Sequence, residues 1–295
     1  MSVDRRTALR LIAAGGAAAT TTGAVRGDEA PAPPPDAVGL LYDTTKCIGC
    51  KTCVVACHEA NELPPETREW GDGLYDAPTK LGSRTKNIIK LYRDDQGRES
   101  YMKEQCMHCV DPSCAGACMI GALQKREFGI VTWVKDRCIA CRYCQVACPF
   151  NIPKFEWDAR DPRIVKCELC RHLLARGEKP ACVRVCPREA VIFGKRDELL
   201  AEAKRRIDSE PGRYVPKVYG ETDGGGTQVL YVSHIAFEKL GLPDLGDQAP
   251  SVRARAVQHG LYQGFVAPAA LYVVLGAVVL RNRKRIGNTD EEDDA

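Results

Sequence analysis

Hydrophobic positions along the chain fall into short runs, with one long run near the C-terminal end. The β-branched stretches "AVIFG" (190–194) and "GIVTWV" (129–134) are typical of short strands. The segment "LQKREFGIVTWV" (123–134) predicts two strands joined by a turn near 127–129. A helical period runs from Asp197, the predicted N-cap, to Ile207 and stops before Pro211-Gly212. These elements predict an α+β domain.

The long run covers 260–280 and contains 21 residues without a charge. At the rise of an α-helix this length spans roughly 30 Å, the thickness of a bilayer core. Four basic residues lie within 281–285, immediately after the run. We therefore expect a single transmembrane helix at 260–280 and, by the positive-inside rule, a cytoplasmic tail at 281–295. A buried core helix is the alternative, although core helices seldom run so long without a charge.

The N-terminal region has the pattern of an export signal. Arg5 and Arg6 precede an alanine-rich, moderately apolar stretch, which is typical of the twin-arginine route. A basic amphipathic or disordered N-terminus is the alternative. We assign the signal to 1–27, a proline-rich linker to 28–38, the main domain to 39–245 and a second linker to 246–259. With the cytoplasmic tail, this arrangement places the main domain on the periplasmic side of a bacterial inner membrane.

Composition adds one strong signal, which is the presence of 16 cysteines among 295 residues. The net charge of +3 is a near balance of acidic and basic residues and does not indicate a nucleic-acid partner. Zinc sites, a disulfide framework and iron–sulfur clusters are the candidates for so many thiols.

The cysteines form four groups that begin with two intervening residues and end with three. Group one is Cys47, Cys50, Cys53 and Cys57; group two is Cys106, Cys109, Cys114 and Cys118; group three is Cys138, Cys141, Cys144 and Cys148; group four is Cys167, Cys170, Cys182 and Cys186. All variation falls between the second and third cysteine, where a loop can lengthen without moving the other ligands.

This spacing favours [4Fe–4S] clusters. A tight loop holds three corners of a cluster, and a cysteine four positions later ligates a neighbouring cluster, as in two-cluster ferredoxins. Structural zinc sites instead use two ligand pairs separated by a longer loop. Disulfides between thiols at these spacings would be strained. Sixteen cysteines at four per cluster make four clusters. Linker length alone leaves open whether group three pairs with group two or group four.

Six stretches carry a resemblance to a known family: "LLYDTTKCIGCKTCVVAC", "QCMHCVDPSC", "CRYCQVACPFNIPKF", "KCELC", "CPREAVIFGKRDELLAEAKRR" and "YGETDGGGTQVL". The chain resembles the four-cluster, ferredoxin-type electron-transfer subunits that accompany molybdopterin oxidoreductases, such as dimethyl sulfoxide reductase and formate dehydrogenase, and certain hydrogenases. Within that family it is most similar to the iron–sulfur subunits of membrane-bound hydrogenase-2 systems. The resemblance implies two nested ferredoxin-like modules.

The resemblance also implies how the cysteines are shared, with group one paired to group four and group two paired to group three. We call the four resulting ligand combinations thiol sets. The first set is Cys47, Cys50, Cys53 and Cys186; the second is Cys57, Cys167, Cys170 and Cys182; the third is Cys106, Cys109, Cys114 and Cys148; the fourth is Cys118, Cys138, Cys141 and Cys144.

The function implied is an electron relay with no catalytic residue of its own. The expected partners are nickel–iron hydrogenase large and small subunits, an integral membrane quinone-interacting subunit and the lipid bilayer, with no nucleic acid. A molybdopterin oxidoreductase of formate, tetrathionate or polysulfide type is an alternative catalytic partner. A zinc-binding structural or assembly protein is the alternative from another class.

Other residues near the cysteines are interpreted more plainly. We expect the histidines to be loop or surface residues and the aromatic residues to be packing side chains. We expect the basic residues to be solvated charges; the alternative is that they offset anionic cluster charge and raise its potential. The histidines are His58, His108 and His172; the basic residues are Lys135, Arg137, Arg142 and Lys166; the aromatic residues are Trp133, Tyr143 and Trp157.

Overall fold

The computed structural model describes residues 31–63, 80–252, 254 and 266–289. The predicted signal region at 1–27 lies outside the described residues. Strands in the described part are β1 (Val38–Asp43), β2 (Asn87–Arg93), β3 (Glu99–Gln105), β4 (Leu123–Lys125), β5 (Val131–Trp133), β6 (Lys154–Phe155), β7 (Ile164–Val165), β8 (Val191–Lys195) and β9 (Val229–Val232). Helices are α1 (Thr52–Ala60), α2 (Ser113–Gly116), α3 (Tyr143–Ala147), α4 (Arg171–Leu174), α5 (Ala181–Arg184), α6 (Arg196–Ser209) and α7 (Val266–Thr289).

Residues Ala30–Ser251 form one compact unit built around a three-stranded sheet of order β8-β1-β9. The central strand β1 pairs antiparallel with β8, with Tyr42 opposite Val191, and parallel with β9. Three antiparallel hairpins, β2–β3, β4–β5 and β6–β7, complete the described sheets. The β4–β5 hairpin, with a 3-10 turn at Glu127–Gly129, confirms the strand pair expected from the sequence.

The two faces of β1 are buried against different parts of the unit. Leu40 and Tyr42 belong to a core that includes cysteines of groups one and four, whereas Leu41 packs with Leu199 and Ala203 of α6. This division follows from the two-residue period of a strand, which sends neighbouring side chains to opposite faces. The sheet therefore has one face toward the cysteines and one face covered by a helix.

Helix α6 confirms the predicted helical period but begins two residues earlier than expected, at Arg196. Lys195 occupies the N-cap position, so the prediction that Asp197 caps the helix is wrong. The reason is that β8 runs directly into α6 without a loop. Asp197 lies in the first turn, where its negative charge complements the helix dipole.

A buried ion pair fixes the C-terminal end of β1. Asp43 is 0% exposed, and its carboxylate accepts hydrogen bonds from the Arg206 guanidinium at 3.1 Å and from the Tyr214 hydroxyl at 3.0 Å. The same side chain accepts the Thr45 backbone N–H at 2.9 Å. Because this carboxylate is fully satisfied, it holds the turn that leads from β1 into the first cysteine group.

Helix α7 belongs to a second unit. The predicted span at 260–280 enters it from residue 266 onward, and residues 260–265 lie outside the described residues. Apolar side chains such as Leu271, Tyr272 and Val273 are 59%, 75% and 71% exposed. Among the residues that the structure describes, no helix has both the length and the apolar character that crossing a membrane requires.

We predict that Gly39→Ala destabilises the folded unit. A Cβ atom at Gly39 would lie 1.9 Å from the backbone oxygen of Gln228, so β1 and the residue before β9 would have to move apart. We expect a loss of about 1–3 kcal/mol in the free energy of unfolding, measured as a lower apparent Tm. Gly246→Ala is the matched control because a Cβ there meets nothing within 4 Å. Equal Tm values for both variants would contradict the prediction.

Candidate metal-cluster sites

Two of the cysteine loops share an unusual backbone. In group one Gly49 and Lys51 have φ of 70° and 59°, and in group three Ala140 and Arg142 have φ of 59° and 65°. These are equivalent positions on either side of the second cysteine. Left-handed conformations cost non-glycine residues free energy and persist where the surrounding structure requires them, which is often a functional site. The repeated strain indicates two loops shaped for the same type of ligand.

Backbone N–H groups point at several of the sulfurs. The Gly49 N–H donates to Cys47 Sγ at 3.4 Å, and the Leu169 N–H donates to Cys167 Sγ at 3.4 Å. The fourth cysteine of group two and that of group four each accept a hydrogen bond from the backbone N–H four residues later. The Ala122 N–H, for example, lies 3.1 Å from Cys118 Sγ. Hydrogen bonds of this kind stabilise negative charge on sulfur and help set the potential of a cluster.

The first thiol set gathers where β1 and β8 meet. Cys47, Cys50, Cys53 and Cys186 line one cavity together with Tyr42 and Lys103. The loop after β1 carries Cys47 and Cys50, α1 carries Cys53, and Cys186 precedes β8. The antiparallel pairing of β1 with β8 therefore brings cysteines from the two ends of the unit into one site.

The second set includes Cys57 of α1 and three cysteines of group four. Burial raises the pKa of the Cys167 thiol well above its usual range, and the nearby thiols of Cys57 and Cys170 raise it further. Cys182 is also near Cys57 and Cys170, and burial raises its pKa to about 12. Ala56 of α1 and Ala181 of α5 belong to one small core, which holds the two helices together.

The third and fourth sets form a similar pair around the β4–β5 hairpin. Burial raises the pKa of Cys109 well above its usual range, and the thiols of Cys106, Cys114 and Cys148 contribute to the rise. The cysteines of the fourth set line a second cavity, namely Cys118, Cys138, Cys141 and Cys144. The structure thus brings each of the four expected sets together, while ligation of a cluster by them stays a prediction.

The chemistry of these donors fits iron–sulfur clusters. None of the sixteen cysteines forms a disulfide, and fifteen are buried or partly buried. Thiols crowded in this way resist deprotonation because each thiolate would repel the next in a medium of low dielectric constant. A metal centre removes that penalty, since coordination to a cation deprotonates a thiol outright. An all-sulfur donor set in ferredoxin-type loops suits iron–sulfur chemistry.

Two residues near the third set differ from the sequence-based expectation. His108 lies in a loop, as one of the two alternatives predicted, but it is 0% exposed, and its Nδ1 accepts the Val131 N–H at 3.1 Å. Burial lowers the pKa of His108 well below its usual range, so its ring is neutral. Lys166 is 2% exposed rather than solvated, and its ammonium donates to the carbonyl oxygens of Val131 and Cys167. Both side chains are buried because they hydrogen-bond to the backbone of Val131 in β5, a contact that the sequence does not reveal.

Of the aromatic residues expected to be packing side chains, two are largely exposed, although Trp157 packs against Phe155. Trp157 is 66% exposed and Tyr143 is 56% exposed, whereas Trp133 is partly buried as expected. The Arg142 guanidinium lies 4.6 Å from the Trp157 ring centroid, a cation–π contact at the rim of the fourth set. Cys141 of that set is the exposed cysteine.

Lys103 is a site residue that the sequence analysis missed. It lies on β3, three residues before Cys106, and is 1% exposed. The thiols of Cys53, Cys57, Cys167 and Cys182 are its electrostatic neighbours. Its position in a strand that leads directly into group two is the one signal that could have identified it.

Comparison with known proteins agrees with this chemistry. A family model described as a 4Fe-4S dicluster domain matches residues 98–196. Hydrogenase-2 operon protein HybA of Escherichia coli O157:H7 is 40% identical over 286 residues, which cover 85% of this chain and 87% of the relative. The chain belongs to this family of iron–sulfur subunits. Another relative is the nitrate-inducible formate dehydrogenase iron–sulfur subunit of Escherichia coli strain K12, 35% identical over 265 residues that cover 87% of this chain and 88% of the relative.

Membership in the iron–sulfur subunit family confirms the resemblance inferred from the sequence. The formate dehydrogenase iron–sulfur subunit of Haemophilus influenzae is a further relative, 32% identical over 87% of this chain and 83% of the relative. The chain is accordingly an electron-transfer subunit of an oxidoreductase complex rather than an enzyme by itself. Its cofactors are four [4Fe–4S] clusters, in agreement with its 16 cysteines.

We predict that Cys148→Ser perturbs the cluster of Cys106, Cys109 and Cys114 first, because the Cys148 thiol lies beside that set. Electron paramagnetic resonance of the anaerobically purified protein should show this cluster lost or altered while the cluster at Cys138 and Cys141 persists.

Cys144→Ser, four residues earlier, is the matched control. Its thiol lies beside Cys118, Cys138 and Cys141, so this variant should perturb the other cluster of the pair. If Cys148→Ser lost only the signal of the cluster at Cys138, Cys141 and Cys144, the assignment of Cys148 to the cluster of Cys106, Cys109 and Cys114 would be wrong.

Proposed function

We propose that this chain relays single electrons between a periplasmic nickel–iron hydrogenase and a quinone-reactive subunit in the membrane. In this proposal each thiol set holds one cluster through its four sulfurs. Iron–sulfur clusters, when bound, accept and donate one electron at a time. The residues of the chain hold the clusters at fixed positions, exclude water and surround them with dipoles and charges.

The observation that carries the proposal is that thiols of different sets lie close together, since α1 carries both Cys53 and Cys57, and Cys114 and Cys144 belong to one core. Three of these thiols have raised pKa values. Burial is the main cause in each case, and a nearby thiol of the neighbouring set raises the pKa further. The three links are Cys53 with Cys182, Cys106 with Cys167, and Cys144 with Cys114. These links support the order first, second, third, fourth, in which every electron transfer is between adjacent sites.

The two ends of this series are the accessible ones. Around the fourth set, apolar side chains project from the surface, and we call them the apolar collar: Met119, Ile139, Tyr143, Val146 and Trp157. Beside the first set Ile48 is 55% exposed. By contrast, three cysteines of the second set and two of the third are buried, namely Cys57, Cys170, Cys182, Cys106 and Cys114. A relay needs this arrangement because its electron donor and acceptor must each approach one terminal cluster.

Anchoring of the chain in the inner membrane is part of the proposal. The uncharged run at 260–280, the basic residues after it and the exposed apolar side chains of α7 support an anchor with a cytoplasmic C-terminus. Export by the twin-arginine route, proposed from Arg5 and Arg6, would carry the domain across after its clusters are assembled.

The choice of hydrogenase as catalytic partner rests on similarity. Identity to hydrogenase-2 operon protein HybA is 40%, compared with 35% to a formate dehydrogenase iron–sulfur subunit. A molybdopterin oxidoreductase is the second candidate, and it would use the same sixteen thiols in the same way.

Native purification under anaerobic conditions separates these two candidates. We expect the chain to be recovered from solubilised membranes with a large subunit that contains nickel, measured by metal analysis of the intact complex. Recovery with a molybdenum-containing subunit and no nickel would overturn the hydrogenase assignment and leave the relay role in place.

We predict that Val146→Glu weakens binding of the redox partner that docks over the fourth set. Val146 is 87% exposed in the apolar collar, so a charge there needs no refolding of the domain but would have to be desolvated in a complex. The measured quantity is the amount of each partner subunit that co-purifies with the variant, with Val146→Ile as the apolar control. Undiminished recovery of every partner with Val146→Glu would contradict the docking surface.

A further inference from the structure

Lys103 places a lysine side chain in the interior of the domain. It lies on β3 with 1% of its surface exposed, although lysine is almost never fully buried unless it is paired. Its ammonium donates a hydrogen bond to Asn87 Oδ1 at 2.6 Å. Asn87 is itself 2% exposed, and its amide nitrogen lies 3.4 Å from the carbonyl oxygen of Cys53. The amide of Asn87 therefore positions the ammonium beside α1.

The charge of Lys103 is not neutralised by a carboxylate. In the part of the chain that the structure describes, no Asp or Glu lies within ion-pair distance of its Nζ atom. The neighbouring groups that can carry negative charge are thiols: Cys53 of the first set, and Cys57, Cys167 and Cys182 of the second. Lys103 also lines the cavity of the first set. It is thus shared by two adjacent thiol sets.

We propose that Lys103 is a fixed positive charge that raises the reduction potentials of the clusters held by the first and second thiol sets. The inference rests on the proposed assignment of clusters to those sets. A cluster with four thiolate ligands becomes more negative on reduction, and a nearby buried cation stabilises the reduced state more than the oxidised state. Because thiols of both sets lie near the same ammonium, its charge adjusts both potentials in the same direction.

Comparison with the fourth set shows why this effect is local. Cys118, Cys138, Cys141 and Cys144 line a separate cavity, and Lys103 is not among the residues that line it. The charge of Lys103 therefore acts more strongly on the first pair of clusters than on the terminal cluster in the collar. Lys103 places a fixed positive charge near the clusters and is not itself an electron carrier.

The test is a redox titration of the complete complex carrying Lys103→Met, followed by electron paramagnetic resonance. Methionine has a similar length to lysine and no charge. We expect the equilibrium constant for reduction of the first two clusters to fall by at least about tenfold, which is a shift of ~59 mV to lower potential for a one-electron couple. The cluster of the fourth set should keep its potential.

Two controls make the result specific. Lys103→Arg keeps the charge and should keep both potentials close to the wild-type values. Lys90→Met removes a charge from the facing strand β2, where the Lys90 side chain is 35% exposed and pairs with Glu104, so we expect no shift. An equal shift in Lys90→Met would show that net charge is responsible and would overturn the proposal.

Unchanged potentials in a Lys103→Met complex that retains its clusters would also overturn it, while intact electron transfer in that complex would leave the relay function standing. If the methionine variant does not load the first two clusters, Lys103→Gln repeats the test with a donor retained for Asn87. Failure of both neutral variants to load clusters that Lys103→Arg does load would assign Lys103 a purely structural role and reject the inference.

Discussion

The antiparallel pairing of β1 with β8 is the interaction on which the rest of the structure depends. It joins residues from opposite ends of the domain, with the Asp43 N–H donating to the Ala190 carbonyl at 2.8 Å. Closing so long a loop is opposed by chain entropy. Burial of Leu40, Tyr42 and Val191 in one core offsets that cost. Without this closure the cysteines before α1 would not meet Cys186, and the first and second thiol sets could not form.

Enclosing many thiols in one domain creates an electrostatic problem as well as a topological one. Isolated from metal, the buried thiols have raised pKa values, because burial and neighbouring sulfurs both oppose ionisation. Binding of iron reverses this preference, and the protein then has to accommodate anionic clusters in its interior. Lys103 and Lys166 are both almost fully buried beside these sites. The domain thus supplies positive charge from within rather than relying on solvent.

Cysteine spacing predicted much of the site because loop length and ligand direction are local properties. The β4–β5 hairpin and helix α6 were likewise predictable from strand and helix periodicity. Burial of individual polar residues was not, since it depends on which distant segment covers them. His108 and Lys166 look like ordinary loop residues in the sequence, yet both are enclosed, while Trp157 is exposed. Lys103 gives no local sign that two thiol sets will gather around it.

In the proposed assignment, three cysteines of one group and one cysteine of its partner group hold each cluster. An anaerobic crystal structure of the cluster-loaded protein, with iron located by its anomalous scattering, tests this most directly. We expect iron bonded to Cys148 Sγ in the cluster of Cys106, Cys109 and Cys114. We likewise expect iron bonded to Cys186 Sγ in the cluster of Cys47, Cys50 and Cys53. A cluster bound by all four cysteines of a single group would contradict it.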